Sequence, residues 1–408
     1  LINYIVSRKE WEPLAKEAKK KENPLKALAN TKIDHPLGCG PFILEDWKEG
    51  TSLHLKKNPH FFGQGQTISD RRLGPHIDNI LFKIFGTADV AIMGLKKGMI
   101  DFLWWAIQPG YLQGLEADKN VNVFLSEKNA LYYMGYNVRK EPFSDRTLRQ
   151  ATATVIDKDF FVKRVLQGYA SRMDSFIPPE NTFWHADNLP SYGKGLSRVE
   201  RIRKAANLLL EGDYSWKTPP VDASGEKQAP STILLPNGRA MDKFVILTPP
   251  ADYDPNRATC GLMIQEWLND LGIPAIARPM SFSALLQTVK VEHDFDAFIL
   301  GYGRLSLDPD NLRSFFHSSN DKPRGYNMSG YRNPEFDRLA EASVAAMDPD
   351  VRQDLIHEMQ RILMRDVPYI PLYKPQVIEA VGKDFTCWEQ MSGGIGNIWS
   401  LCQVKPVE

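Results

Sequence analysis

The side chains best suited to hold a ligand are aromatic rings and guanidinium groups near predicted strand ends. Tyr302 and Arg304 fall in the loop Gly301–Asn311. Trp104 and Trp105 follow Gly98-Met99-Ile100-Asp101 at another strand end. Neighbours on a strand face opposite sides, so one of the pair is expected to face a cleft. Tyr133 lies with Tyr132 and Tyr136 on the run Leu131–Asn137, where core packing is expected to take two of the three. Arg324 and Tyr326 precede the turn Asn327–Gly330. Rings give broad apolar contact and a guanidinium gives planar hydrogen bonding, so this set can hold a solute without reacting with it.

Reactive sets are not visible. Asp34-His35 has no Ser in a GxSxG elbow to complete a triad. Cys39, Cys260, Cys387 and Cys402 form no CxxC, and no His pair completes a zinc pattern, so no metal or cofactor is expected. Cys260 reads as a buried thiol, while Cys387 and Cys402 bracket a Gly-rich turn that a disulfide could close. Gly393-Gly394-Ile395-Gly396 lacks the strand and helix of a dinucleotide site. His35 and His76 stand beside prolines in turns and read as structural.

The elements that position these residues centre on Lys243–Asn311. Lys243–Thr248 is an apolar run closed by Pro249 and Pro250, which suits a buried strand. Asn256–Leu271 repeats apolar residues at helical spacing and stops at Gly272. Ile273–Arg278 is a second strand, Phe282–Val289 a second helix and Phe295–Leu300 a third strand. Alternation of this kind implies parallel strands with right-handed crossovers, and ligands on such sheets sit beyond the strands' carboxyl ends.

Around this unit, a Lys/Glu-rich helix is expected from Glu10 to Ala29 and a hairpin from Phe42–Trp47 and Thr51–Lys56. Asp145–Val155, capped by Ser144, and Asp157–Gln167 read as helices, and residues 213–240 as a polar linker. Asn333–Ala346 and Asp350–Asp366 are further amphipathic helices, and the Pro-punctuated Val367–Tyr373 suits an edge strand.

The chain has 408 residues, enough for two lobes. Its 50 Lys and Arg balance 50 Asp and Glu, which argues against nucleic acid as the main partner. No apolar run approaches the roughly 20 residues of a membrane span.

Gly38-Cys39-Gly40-Pro41-Phe42, Asn58-Pro59, Gly98–Asp101, Tyr136-Asn137 with Pro142–Asp145, and Arg149-Gln150-Ala151 form an ordered series. Leu271-Gly272-Ile273, Phe295-Asp296, Asp308–Asn311, Asn333–Asp337 and Val367–Tyr373 continue it. The series resembles the family 5 extracellular solute-binding proteins of ABC transporters, the oligopeptide-, dipeptide- and nickel-binding group, over nearly the whole chain. The resemblance implies an α/β, two-lobed periplasmic binding protein (type II, cluster C-like) with mixed sheets flanked by helices. It places residues 1–127 in lobe I, about 128–374 in lobe II, and 375–408 back in lobe I. Segments near 127–131 and 374–377 would then be hinges.

By the same resemblance the protein is a periplasmic or extracytoplasmic receptor, soluble or lipid-anchored. It would be a monomer that hands a small solute to ABC permease subunits and has no enzymatic activity. The family's usual N-terminal portion is not seen, so the chain reads as the C-terminal part of a larger protein, with weak affinity if that part is truly missing. Peptide binders of the family often carry an Asp after the Gly-aromatic of the last loop; here that position is Leu305, beside Arg304. This favours a neutral or anionic solute over one with a free amine. The rival readings are a hydrolase on the same scaffold and a protein-interaction module that keeps the receptor fold.

Overall fold

The computed structural model describes residues 6–103 and 107–407. Both Trp104 and Trp105 lie outside the described residues. The chain divides into two compact units, Leu1–Ser126 with Val377–Glu408, and Glu127–Gln376.

The first unit opens with α1 (Arg8–Ala18) and α2 (Pro24–Ala29). One long helix was the expectation; the break arises because the Asn23 side chain accepts from the Lys26 amide at 3.0 Å and starts a new helix at Pro24. Strands β1 (Phe42–Lys48), β2 (Ser52–Lys57) and β3 (Asn79–Lys83) make an antiparallel meander. Its first turn needs Gly50 at φ 74°, a region that side chains disfavour. Helix α3 (Ala88–Lys96) is capped by Thr87 and leads to β4 (Phe102–Leu103) and β5 (Val121–Ser126). The returning strand Val377–Gly382 pairs antiparallel with both, between them.

The second unit is built on a six-stranded mixed sheet. Its strands are β6 (Leu131–Tyr136), β7 (Ala170–Arg172), β8 (Phe244–Thr248), β9 (Ala275–Pro279), β10 (Ala297–Tyr302) and β11 (Tyr369–Pro375), in the order β9-β8-β10-β6-β11-β7. As the alternation of strand and helix requires, β8 runs parallel to β9 and β10; the other pairs are antiparallel. Successive residues of β6 feed different cores. Met134 and Tyr136 pack with helices α4 (Arg146–Val155), α5 (Arg198–Glu211) and α6 (Pro255–Asn269) through Leu148, Ile202, Ile264 and Trp267. Leu131 and Tyr133 join Phe298, Phe316, Phe336, Met359 and Leu363 on the other face. That face is covered by α7 (Phe282–Leu286), α8 (Asn311–Phe316), α9 (Pro334–Ala345) and α10 (Pro349–Asp366).

Four local expectations are corrected. Asp145, not Ser144, caps α4, its Oδ1 accepting from the Thr147 amide at 2.8 Å. The expected helix Asp157–Gln167 is one turn, Lys158–Phe160, followed by a wider π segment, Phe161–Val165. Strand β11 lies inside the sheet, between β6 and β7. Its register shifts between Pro371 and Tyr373, and β7 pairs only from Tyr373 onward, so Pro371 owes β7 no amide. Residues 213–240 are pinned to the core: Tyr214 donates to Asp145 Oδ2 at 2.6 Å, Trp216 Nε1 to the Leu271 carbonyl at 2.7 Å, and the Ile233 amide to Gly272 at 3.0 Å.

Cys387 and Cys402 are not joined; the first is exposed and the second buried. Cys39 is exposed and Cys260 buried. Burial raises the thiol pKa of both Cys260 and Cys402, which removes the reactive thiolate. In the native protein an aromatic disulfide reagent should therefore release colour from two thiols, with two more reacting after unfolding. Fewer than four thiols under denaturing, non-reducing conditions would contradict the free pair.

Candidate functional site

Strands β8, β9 and β10 all point their carboxyl ends to one edge of the second unit's sheet, and the chain enters β6 and leaves β11 at that edge. At the chain's exit Lys374, its side chain 3% exposed, reaches Glu127 at 2.6 Å and Glu180 at 2.9 Å. Gln376 donates to the same Glu127 at 2.6 Å, so the entering and leaving segments are fastened together. Burial works against the Lys374 charge, but the two carboxylates more than offset it and raise its pKa.

Two aromatic groups stand along this edge. In the first, Tyr302 at the tip of β10 is stacked on Phe315 with centroids 4.2 Å apart, and on Tyr133 at 5.6 Å. Tyr326 follows, its ring 6.3 Å from Phe315 and 49% exposed, with the Lys290 ammonium 3.8 Å above it. Arg324 is exposed at φ 66°, its amide donating to the Lys290 carbonyl at 2.7 Å. Arg304 is exposed and makes no hydrogen bond or ion pair with the described residues.

The structure thus brings Tyr302, Arg324 and Tyr326 into one neighbourhood and leaves Arg304 on the adjoining loop. Tyr133 does not join them as a contact. It is 1% exposed and stacked between Tyr302 and Tyr369, so its ring supports Tyr302 from behind. The reason is register, because odd residues of β6 face the core under α10. The β10 loop is held by Asn129, whose carbonyl accepts from the Leu305 amide at 2.7 Å and whose side chain donates to Ser306 at 2.6 Å. Leu305 packs on the core, and Asp308 is gripped by both terminal nitrogens of Arg352 at 2.8 and 2.9 Å. The Arg352 pair, outweighing partial burial, holds the Asp308 carboxyl below its ordinary pKa.

The second group was not singled out from sequence. Arg257, in the first turn of α6, lies 5.7 Å from the Tyr132 ring, 5.6 Å from Tyr253 and 5.8 Å from Phe282. Tyr253 and Phe282 are themselves stacked at 4.8 Å. Asp254 caps the helix through its Oδ1 and accepts from Arg257 Nε at 2.7 Å through its Oδ2. The available signal was Asp-Pro-Asn-Arg after a strand closed by two prolines, which marks a helix start but not a buried cation. Burial and Asp254 push the Tyr132 hydroxyl up to about 12.

Two open depressions of this unit lie elsewhere. One of about 810 Å³ is lined by Lys227, Gln265 and Asp270 at the far end of α6, and one of about 720 Å³ by Arg139, Asp321 and Asp366. Their charged walls are mostly ion-paired with one another, as in Lys227–Asp270 and Arg139–Asp321. At the strand-end edge, Arg304, Arg324 and Tyr326 are exposed. Among the described residues no group of His, Cys, Asp or Glu is arranged to hold a metal, and no helix is long and apolar enough to cross a membrane.

Residues 10–323 match the family described as bacterial extracellular solute-binding proteins, family 5 Middle. The chain is 27% identical over 343 residues to the oligopeptide-binding protein AppA of Bacillus subtilis, covering 83% of this chain and 57% of that protein. It is 24% identical over 365 residues to the dipeptide-binding protein of Escherichia coli, covering 88% and 60%. It therefore spans little more than half the length of these curated relatives. Among solved structures, NikZ from Campylobacter jejuni in complex with Ni(L-His) superposes with a TM-score of 0.77 at 20% identity, over 98% of this chain and 72% of that one. AppA from Bacillus subtilis with a nonapeptide gives 0.72 at 24% identity, over 90% and 66%. The family match covers most of the sequence, and the fold agrees: the chain belongs to the bacterial extracellular solute-binding proteins, family 5.

Proposed function

We propose that this chain is the solute-holding part of an extracytoplasmic receptor that serves an ABC importer, and that its solute is peptide-like. Family membership carries this reading. The relatives named above are oligopeptide- and dipeptide-binding proteins, and one similar structure holds a nonapeptide. The unit Glu127–Gln376 supplies one wall of the solute site through Tyr302, Tyr326, Arg324 and Arg304. The segments near 127–131 and 374–377 act as hinges, and solute shifts the open–closed balance by its higher affinity for the closed form. The receptor works as a monomer and delivers the solute to permease subunits.

The preferred solute is neutral or anionic. Leu305 occupies the loop position where a carboxylate would meet an amine, and it is turned onto the core. Asp308, the nearest alternative, is engaged by Arg352. Titration calorimetry against tripeptides, their N-acetylated forms, sugars and metal chelates tests both statements. Saturable binding of an acetylated tripeptide at least as strong as its free-amine partner is expected. Tyr302→Ala should weaken that binding roughly fivefold, the share of one lost stacking surface. If no member of the panel binds saturably, the receptor reading fails; if a free amine is required, the charge preference fails alone.

A further inference from the structure

Strand β9 is an outer strand of the second unit's sheet, bonded to β8 alone. Its inward groups follow the parallel pattern. The Pro274 carbonyl accepts from the Phe244 amide at 3.1 Å, and the Met280 amide donates to the Thr248 carbonyl at 2.9 Å. Alternation along the strand turns the amides of Ala275 and Ala277, and the nitrogen of Pro279, to the open side. An open row of amides is a template on which another strand can add. In β9 no donor of that row is left over. The Ala277 amide donates to Gln265 Oε1 at 2.7 Å. The Ala275 amide donates to Asn269 Oδ1 at 3.3 Å and to the Ile273 carbonyl at 2.9 Å, and Pro279 has no N–H.

Both caps come from one face of α6. Gly261 lets that helix lie so close that an added Cβ would stand 2.5 Å from the Thr248 methyl and 3.4 Å from the Ala277 side chain. Gln265 and Asn269 follow at one-turn intervals, and each meets one of the outward amides. Both also line the open depression of about 810 Å³ described above, so solvent reaches the caps. Ile276, Arg278 and Pro279 of the same strand are exposed. The sheet's other outer strand, β7, has three residues and is too short to be a comparable template. We propose that Gln265 and Asn269 hold the β9 edge closed, and that the partner they exclude is the same edge of a second copy of this chain. That edge is the matching occupant because an antiparallel pair about a two-fold axis joins identical surfaces. Nothing in this closure depends on which solute the chain takes.

Residue-resolved amide exchange and sedimentation velocity on the full chain test this closure. Gln265→Ala should quicken exchange of the Ala277 amide tenfold or more and leave Arg278, whose amide faces β8, within twofold. Gln265→Glu keeps an acceptor and should retain the protection of Ala277. In the double variant Gln265→Ala with Asn269→Ala, a concentration-dependent species of twice the mass should form, absent from the unmodified protein at the same concentrations. Equal quickening of Ala277 and Arg278 would mean that Gln265 holds the whole strand rather than its edge, which overturns the proposal. An Ala277 amide that exchanges as fast in the unmodified protein as in Gln265→Ala overturns it as well. So does a double variant that sediments only as a monomer, or an unmodified protein that self-associates to the same extent as the double variant.

Discussion

Replacing Asp174 by Asn is expected to cost the Glu127–Gln376 unit roughly 3–5 kcal/mol at pH 7, the penalty for stranding a buried charge. The stranded group is Lys158, whose side chain has no exposed surface and whose Nζ donates to Asp174 Oδ1 and to the Met173 carbonyl, each at 2.9 Å. Arg172 grips the same carboxylate at 2.8 and 3.0 Å and also reaches Asp159 at 2.9 Å, so it keeps a partner when Asp174 is lost. Burial alone would raise the Asp174 pKa, but Lys158 and Arg172 more than offset it and hold the carboxyl well below its usual range.

The variant has a pH signature. Burial pushes Lys158 down to about 8, against roughly 10.4 for an exposed lysine. Between these values the unfolded chain binds more protons than the folded one, so stability from this group rises with pH. Removing Asp174 takes away the main influence opposing burial, lowers the Lys158 pKa further and extends that window toward neutrality. Urea midpoints should therefore show the gap between Asp174→Asn and the unmodified protein narrowing from pH 7 to pH 9.5. Adding Lys158→Met to the variant should recover most of the loss. A gap that is constant with pH, or no recovery on adding Lys158→Met, would show that Lys158 is not the origin of the cost.

How far the sequence could be read depended on whether a residue's partner is near it along the chain. The strand–helix alternation from Phe244 to Tyr302 was legible because each element announces its own period and stop, and β8, β9 and β10 pair as that alternation requires. The break at Asn23 and the internal place of β11 were not legible, since a cap and a bulge are decided by one side chain or one register step. For the site, Tyr302 and Tyr326 could be picked out as aromatics at loop ends. Whether Tyr133 faces solute or core depends on which side of β6 meets α10, and no local pattern fixes that. Arg257 was missed for a similar reason. An arginine in a helix's first turn looks solvated until Tyr132, 125 positions earlier, and Phe282, on the next helix, are seen to close around it.

Arg149 shows the other side of this limit, a residue visible as part of a motif whose role only the fold reveals. It is 5% exposed, and its guanidinium makes five hydrogen bonds to four carbonyl oxygens. Nε donates to Asp366 and Val367, both at 3.1 Å; Nη1 donates to Phe143 at 2.6 Å and Ser144 at 2.9 Å; Nη2 donates to Asp366 at 2.7 Å. Those carbonyls belong to the approach to α4 and to the end of α10, where the chain turns into β11. The turn is made by Val367 at φ 49°, a left-handed conformation that a β-branched residue adopts only when its surroundings hold it there. A cation at the carboxyl end of α10 also meets the negative end of that helix. Burial lowers the Arg149 pKa, and the carbonyl shell takes the place of water around the charge. Arg149→Met removes every donor at once and should destabilise the unit by roughly 3–5 kcal/mol, since each orphaned buried acceptor costs about 1–3 kcal/mol and part of the loss will relax. Arg149→Lys keeps the charge but offers three donors from one point, which cannot span both segments. It should recover less than half of the loss, measured as urea midpoint, and amide exchange should quicken at Val367 and along the first residues of β11. Full stability in the lysine variant would mean that charge alone holds the turn, and the two-segment clamp would have to be given up.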